Sequence, residues 1–223
     1  MKFIDLTHVL HGSISVYPDT VAPVIEKLNT VERDGFAELK VSMVLHSGTH
    51  IDAPSHIIQG AKSLDQFPVD KFIGSAIVIP CTDRSEITLD LLSSYESQIA
   101  EVDFVLFYTG WQHKWSTPAY LESSPVPTEA SALWLTQFNL KGIGVDSFSI
   151  DRVISANDVA PETLPNHQIL LGRDILLIEN LANLDKLPAG PFQFQCLPIH
   201  IEHADGSPVR AVALVGSPER SPS

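Results

Sequence analysis

The apolar positions of this chain fall into short runs. "ELKVSMVLHS", "GSAIVIPC", "DFVLFYTG", "GIGVDSF", "DILLIENL", "FQFQCLPIHI" and "VRAVALVG" are mostly bounded by Gly, Pro, Asp or Asn, the pattern of strands separated by turns. Runs such as "GSAIVIP" and "ILLI" are continuously apolar rather than alternating. Their strands are therefore expected to be covered on both faces, as in a mixed, β-rich α/β layer architecture. Phe192, Phe194 and Cys196 alternate with Gln193 and Gln195, which predicts a half-buried strand with Cys196 on its apolar face. Helical spacing appears at Ile87, Leu91, Leu92, Tyr95 and Ile99. A second helix is expected to start at Thr128, after Pro127, and run through "EASALWLTQF", with a third, shorter one in "LPNHQILLG". "KWSTPAYLESSPVPT" reads as a long surface loop of the kind that often carries function, and the tail "GSPERSPS" as frayed.

At 223 residues the chain can bury a sizeable core, and one domain spanning 1–223 is expected. Apolar residues make up 44% and charged residues 18%, so the chain should fold rather than remain disordered. A net charge of -13 opposes binding to phosphate backbones or anionic lipid, and no nucleic-acid partner is expected. No apolar stretch approaches the roughly 20 residues of a membrane span, and "MKFIDLTHVLHGS" lacks a signal-peptide core. A cytoplasmic protein with no membrane partner is the expectation. Cys81 and Cys196 belong to no CxxC pair and are read as buried small apolar residues.

One segment departs from this ordinary picture. "HSGTHIDAPSH", His46 to His56, holds three of the nine histidines together with an aspartate. Gly48 and Pro54 argue against a helix, and the preceding "KVSMVL" has strand character. On an extended chain His46, His50 and Asp52 project from one side. A flat strand would set the Cα atoms of His46 and His50 about 13 Å apart, too far for two imidazoles whose metal bonds are about 2.1 Å. A bend near Gly48 is therefore expected. Two imidazoles and a carboxylate suit Zn, Mn or Fe, and the absence of thiolate argues against a closed structural zinc site. A metal there would lower the pKa of a water molecule, which points toward hydrolysis. His56, beyond Pro54, reads as either another ligand or a proton-transfer residue. Downstream, Glu179 ends the apolar run Ile175 to Ile178. A carboxylate buried there requires a nearby cation, either a metal or Arg173. His167 is ambiguous on its own.

The motif resembles the HxGTHxDxPxH signature of the cyclase family of metal-dependent hydrolases, which includes bacterial kynurenine formamidases and isatin hydrolases. Similarity extends to "IDLTH", "YPDT", "GIGVDSFSID", "LPNHQILLG" with "IENL", and "ADGSPVRAVAL", an order that spans nearly the whole chain. The resemblance implies a swivelling β/β/α fold and a homodimer or larger homo-oligomer. It implies metal ligation by His46, His50 and Asp52, with His167 and Glu179 completing a second or shared position. One or two divalent ions, Zn or Mn, would then be held per subunit, with Asp52 and Glu179 suited to bridge two. His56 would be the general acid/base.

The implied reaction is hydrolysis of a small aromatic amide. An arylformamide such as N-formylkynurenine, an intermediate of tryptophan catabolism, leads; a cyclic amide of the isatin kind is the alternative. A non-catalytic metal-binding protein of the same fold is the reading from a different class, and the extra His56 argues against it. Tyr17 occupies a segment expected to touch the aromatic substrate, at a place where the formamidase pattern usually has Trp. It keeps a flat ring but adds a hydroxyl. Trp111 and Trp115 are candidates for further aromatic walls, although Trp residues more often serve as packing anchors. His113 reads as solvated; His8, His11 and His203 as structural or surface; and "LPIHIEH" differs from the "LPLR"-like run of formamidases at His200.

Overall fold

The computed structural model describes residues 1–17, 20–152 and 164–216. Its strands are β1 (Lys2–Asp5), β2 (Val24–Asn29), β3 (Glu38–Ser42), β4 (His50–Asp52), β5 (Ile73–Pro80), β6 (Glu86–Ile87), β7 (Phe104–Tyr108), β8 (Val126–Pro127), β9 (Gly142–Val145), β10 (Leu176–Glu179), β11 (Phe192–Gln195), β12 (Gly206–Pro208) and β13 (Val212–Val215). Five short helices accompany them: α1 (Val31–Asp34), α2 (Leu89–Ser93), α3 (Glu96–Ile99), α4 (Glu129–Leu135) and α5 (Pro165–Leu171). Nine strands form one mixed sheet in the order β1-β13-β11-β5-β7-β9-β10-β4-β12. The middle, β5-β7-β9-β10, is parallel and both flanks are antiparallel.

The parallel centre is covered on both faces, as its continuous apolar runs predict. Along β5, Ala76 and Val78 enter one buried cluster while Ile77 and Ile79 enter the other. In β7, Phe104 and Leu106 likewise oppose Val105 and Phe107. The second cluster is closed by Leu91 and Leu92 of α2, Leu135 of α4 and Leu170 and Leu171 of α5. The first cluster draws Ile4 and Ala213 from one end of the sheet and Ile51 and Val209 from the other end. A single sheet reaches itself in this way only by curling, so it forms two β layers with helices outside the second cluster. Phe192, Phe194 and Cys196 share the first cluster, and burial pushes the Cys81 thiol up to about 12.

Several local expectations are corrected. The strand within "ELKVSMVLHS" ends at Ser42, and His46 lies in a turn. The apolar series from Ile87 to Ile99 forms the end of β6 and two short helices that break at Tyr95, although Ile87, Leu91, Leu92 and Ile99 still face one cluster. The helix capped by Thr128, whose hydroxyl accepts from Ser131 N, ends at Leu135. "KWSTPAYLESSPVPT" is no surface loop throughout: Tyr120 is fully buried and Val126–Pro127 pairs with β6. Of the tail, Ser217 to Ser223 lies outside the described residues. The pair β2-β3 stands apart from the nine-stranded sheet.

Candidate metal centre

The chain turns at Gly48, whose φ of +70° lies in the left-handed region that glycine tolerates best. Side chains from the other end of the sequence hold this turn. Asn180 Nδ2 donates to Gly48 O at 3.0 Å, Thr49 Oγ1 donates to Asn180 O at 2.6 Å, and the buried Tyr120 hydroxyl donates to Asn180 Oδ1 at 2.8 Å. The bend brings the His46 and His50 rings to 5.2 Å between centroids. After the turn, β4 runs between β10 and β12, with Glu179 directly opposite His50 and Leu177 opposite Asp52. Opposed residues share a face of a sheet, so this register sets the Glu179 carboxylate beside His50 and Asp52. His167 arrives from α5, and His56 from the single turn that Pro54 starts.

Each of three imidazoles has one ring nitrogen on an outward partner and the other turned toward the carboxylates. His50 Nδ1 lies 2.8 Å from Gly48 O, leaving Nε2 at 3.3 Å from Asp52 Oδ1 and 3.7 Å from Glu179 Oε2. His167 Nδ1 lies 2.7 Å from Asp151 Oδ2, leaving Nε2 at 3.4 Å from Glu179 Oε1 and 3.8 Å from Asp52 Oδ2. His46 is turned the other way, with Nε2 at 3.2 Å from Asp205 Oδ2 and Nδ1 at 2.7 Å from Asp52 Oδ1. Ligand atoms of His46, His50 and Asp52 fall within 4.8 Å of one another, as do those of Asp52, His167 and Glu179. Asp52 belongs to both of these groups, and the ligand atoms of His46, His56 and Asp205 form a third. His56 stacks on His46 with 3.9 Å between ring centroids.

The electrostatics follow from this crowding. Burial penalises a charged His46, but Asp52 and Asp205 outweigh it and hold the ring up to about 9. His167 is held up to about 10, because its bonds with Asp151 and Glu179 overcome burial. Burial would raise Asp52, yet His50 and His46 keep it well below the usual carboxylate range. His56 differs: burial dominates and lowers its pKa. The carboxylates thus demand compensating positive charge. Among the described residues Asp52 Oδ2 is buried without a hydrogen-bond partner, a costly arrangement unless a cation completes it. Two carboxylates with imidazole nitrogens turned inward, and no thiolate, form a donor set that fits a divalent ion of the Zn or Mn type.

The cluster floors a cavity of about 280 Å³ whose walls include Tyr17, Val44, Phe148 and Leu164. Tyr17 stacks on Phe148 with centroids 5.5 Å apart. Trp111 and Trp115 do not line this cavity. Trp111 Nε1 donates to Tyr120 O at 3.0 Å, and Trp115 stacks on His8 at 4.2 Å. Both are packing anchors. His113 is exposed, and His200 is exposed beside a separate apolar cavity with Phe67 and Phe72. Arg173 is exposed, and no ion pair among the described residues joins it to Glu179. Nothing in the sequence pattern alone assigns a role to Asp205, Asp151 or Asn180. All three stand within segments that carry the family resemblance, "ADGSPVRAVAL", "GIGVDSFSID" and "IENL", but no spacing marks them as functional.

Three comparisons bear on this geometry. The family profile described as "Putative cyclase" matches residues 4–152. The kynurenine formamidase of Geobacillus thermodenitrificans is 31% identical over 211 residues, covering 94% of this chain and 95% of that protein. The isatin hydrolase of Roseibium aggregatum is 32% identical, with 96% and 92% covered. A crystal structure of an isatin hydrolase bound to the product analogue thioisatinate superposes with a TM-score of 0.84 at 30% identity, covering 97% of this chain and 93% of that one.

Proposed function

The chain belongs to the putative cyclase family, and from that premise we propose that it is a metal-dependent amidohydrolase whose substrate is an arylformamide such as N-formylkynurenine. The observation that carries the reading is the convergence of imidazole nitrogens on Asp52 and Glu179 at the floor of a cavity walled by a stacked Tyr17–Phe148 pair. His46, His50 and Asp52 are the proposed ligands, with His167 and Glu179 completing a second or shared position for one or two Zn or Mn ions. Asp52 Oδ2, buried and unpartnered, is the atom that a bound cation would satisfy.

A divalent ion in this donor set supplies Lewis acidity toward an amide carbonyl and depresses the pKa of water. The protein's own side chains do the rest. Tyr17 and Phe148 offer flat apolar faces that orient an aromatic ring. His56, less buried than the ligands and with its pKa lowered by burial, takes a proton from the attacking water and delivers it to the leaving nitrogen. With a formamide the products are formate and an aryl amine, a step of tryptophan catabolism. Ring opening of an isatin-like cyclic amide is the second reading, favoured by Tyr17 standing where formamidases usually have Trp.

The reading takes 1–223 as one domain that acts as a homodimer or larger homo-oligomer. Support comes from the β2-β3 pair, which leaves Val24, Ile25, Leu28, Leu39 and Val41 exposed and would be covered by a second copy. We also propose a cytoplasmic location. The test is metal analysis followed by absorbance assays of N-formylkynurenine and isatin in parallel, under Zn and under Mn. Formamide turnover is expected. Turnover of isatin alone would favour the second reading, turnover of neither would remove both substrates, and a protein that binds no metal would overturn the centre itself.

A further inference from the structure

The outer partners of the three inward-turned imidazoles are not equivalent. His50 leans on a carbonyl of its own turn and His167 on the buried Asp151. His46 instead leans on Asp205, 159 residues away and half-exposed, with Nε2 at 3.2 Å from Oδ2. The same Oδ2 lies 3.8 Å from His56 Nδ1. Asp205 therefore faces both rings of the stacked His46–His56 pair.

The surrounding backbone is built for this contact. Asp205 O accepts from Ala53 N at 2.8 Å, next to Asp52. The following residue, Gly206, pairs across the sheet with Asp52. A Cβ on Gly206 would lie 2.5 Å from the His46 ring, so the glycine leaves the space into which His46 turns to meet Asp205.

Resting on the metal-centre reading above, we infer that Asp205 is a positioning residue for His46. Its carboxylate accepts the Nε2 proton, fixes the tautomer that presents Nδ1 to Asp52 and the ion, and strengthens that nitrogen as a ligand. Carboxylates placed behind metal-binding imidazoles act in this way, and their loss costs about 10- to 100-fold in metal affinity or activity. The exposure of Asp205 makes its removal tolerable to the fold.

The experiment titrates Zn²⁺ or Mn²⁺ against a competing chelator in the stripped full-length protein, in Asp205→Ala, in Asp205→Glu and in a control, Glu202→Gln. Glu202 is exposed and pairs with the equally exposed His203. Asp205→Ala is expected to weaken binding by about 10- to 100-fold, with its circular dichroism unchanged. Asp205→Glu should restore part of the loss, and Glu202→Gln should match the parent protein. In the Zn-loaded protein, ¹⁵N-histidine spectra should place the His46 proton on Nε2. Tight binding by the parent with equal affinity in Asp205→Ala, an equal loss in Glu202→Gln, or an Nδ1 proton on His46 would overturn this inference alone. A parent protein that binds no metal would overturn the metal-centre reading with it.

Discussion

Replacing Gly206 by alanine perturbs the centre without changing any of its charged or ligating side chains. The new methyl would sit 2.5 Å from His46 Cε1 and 2.8 Å from Nε2, whereas ordinary contact begins at 3.4 Å. The ring must therefore retreat by about 0.9 Å, and it already stacks against His56. Gly206 has no left-handed φ, so alanine is acceptable to the backbone of β12. The atoms it meets belong to one side chain rather than to backbone, so the fold can yield at little cost. A metal site has far less tolerance: ligand distances are held within about 0.2 Å, and a misplacement of about 1 Å can cost on the order of 10²-fold in rate. Gly206→Ala should lose metal from the His46–His50–Asp52 group and about 10²-fold in turnover, while the stripped protein melts near the parent temperature. Metal analysis, steady-state rates and thermal melts read the three quantities. Gly190→Ala, where an added Cβ meets nothing within 4 Å, is the control. Full metal content with full turnover in Gly206→Ala would refute the reasoning.

Two further outcomes are expected. Tyr120→Phe removes the hydroxyl that donates to the buried Asn180 Oδ1 and should cost about 1–3 kcal/mol of stability for the unsatisfied acceptor; an unchanged denaturation midpoint would show that this bond does not hold the Gly48 turn. The folded pKa values of His46 and His167, about 9 and about 10, lie above the ordinary 6.5. The charged rings therefore stabilise the metal-stripped protein below pH 6.5, and that stabilisation is lost as pH rises through about 9 and about 10. Melting temperatures of stripped protein should fall from neutral pH toward pH about 9, whereas metal affinity should rise because ligating imidazoles must be neutral. A flat or rising melting temperature would contradict the assignment.

Much of this site is legible in one short segment, because the chemistry there is local. The spacing of His46, His50 and Asp52 becomes useful only if the chain bends, and Gly48 is the residue that permits it. The central strands are legible for a similar reason, since an uninterrupted apolar run such as "GSAIVIP" has to be buried on both faces. What escapes sequence reading depends on register and curvature. Asp205 reaches His46 only because β12 pairs with β4, and no periodicity links positions 159 apart. Tyr120 lies in a Pro- and Ser-rich stretch whose composition suggests a surface loop, yet the curled sheet buries it against Asn180. Trp115 has the right chemistry for a substrate wall, but its ring is already engaged with His8 and Tyr120.

In the proposed division of labour Asp52 holds the metal and His56 moves the proton. Metal content per chain, measured together with amide turnover in His56→Ala and Asp52→Ala, tests it most directly. His56→Ala should keep nearly the parent metal content and lose most turnover, while Asp52→Ala should lose the metal. Metal lost from His56→Ala would make that residue a ligand, and metal retained by Asp52→Ala would contradict the centre as a whole.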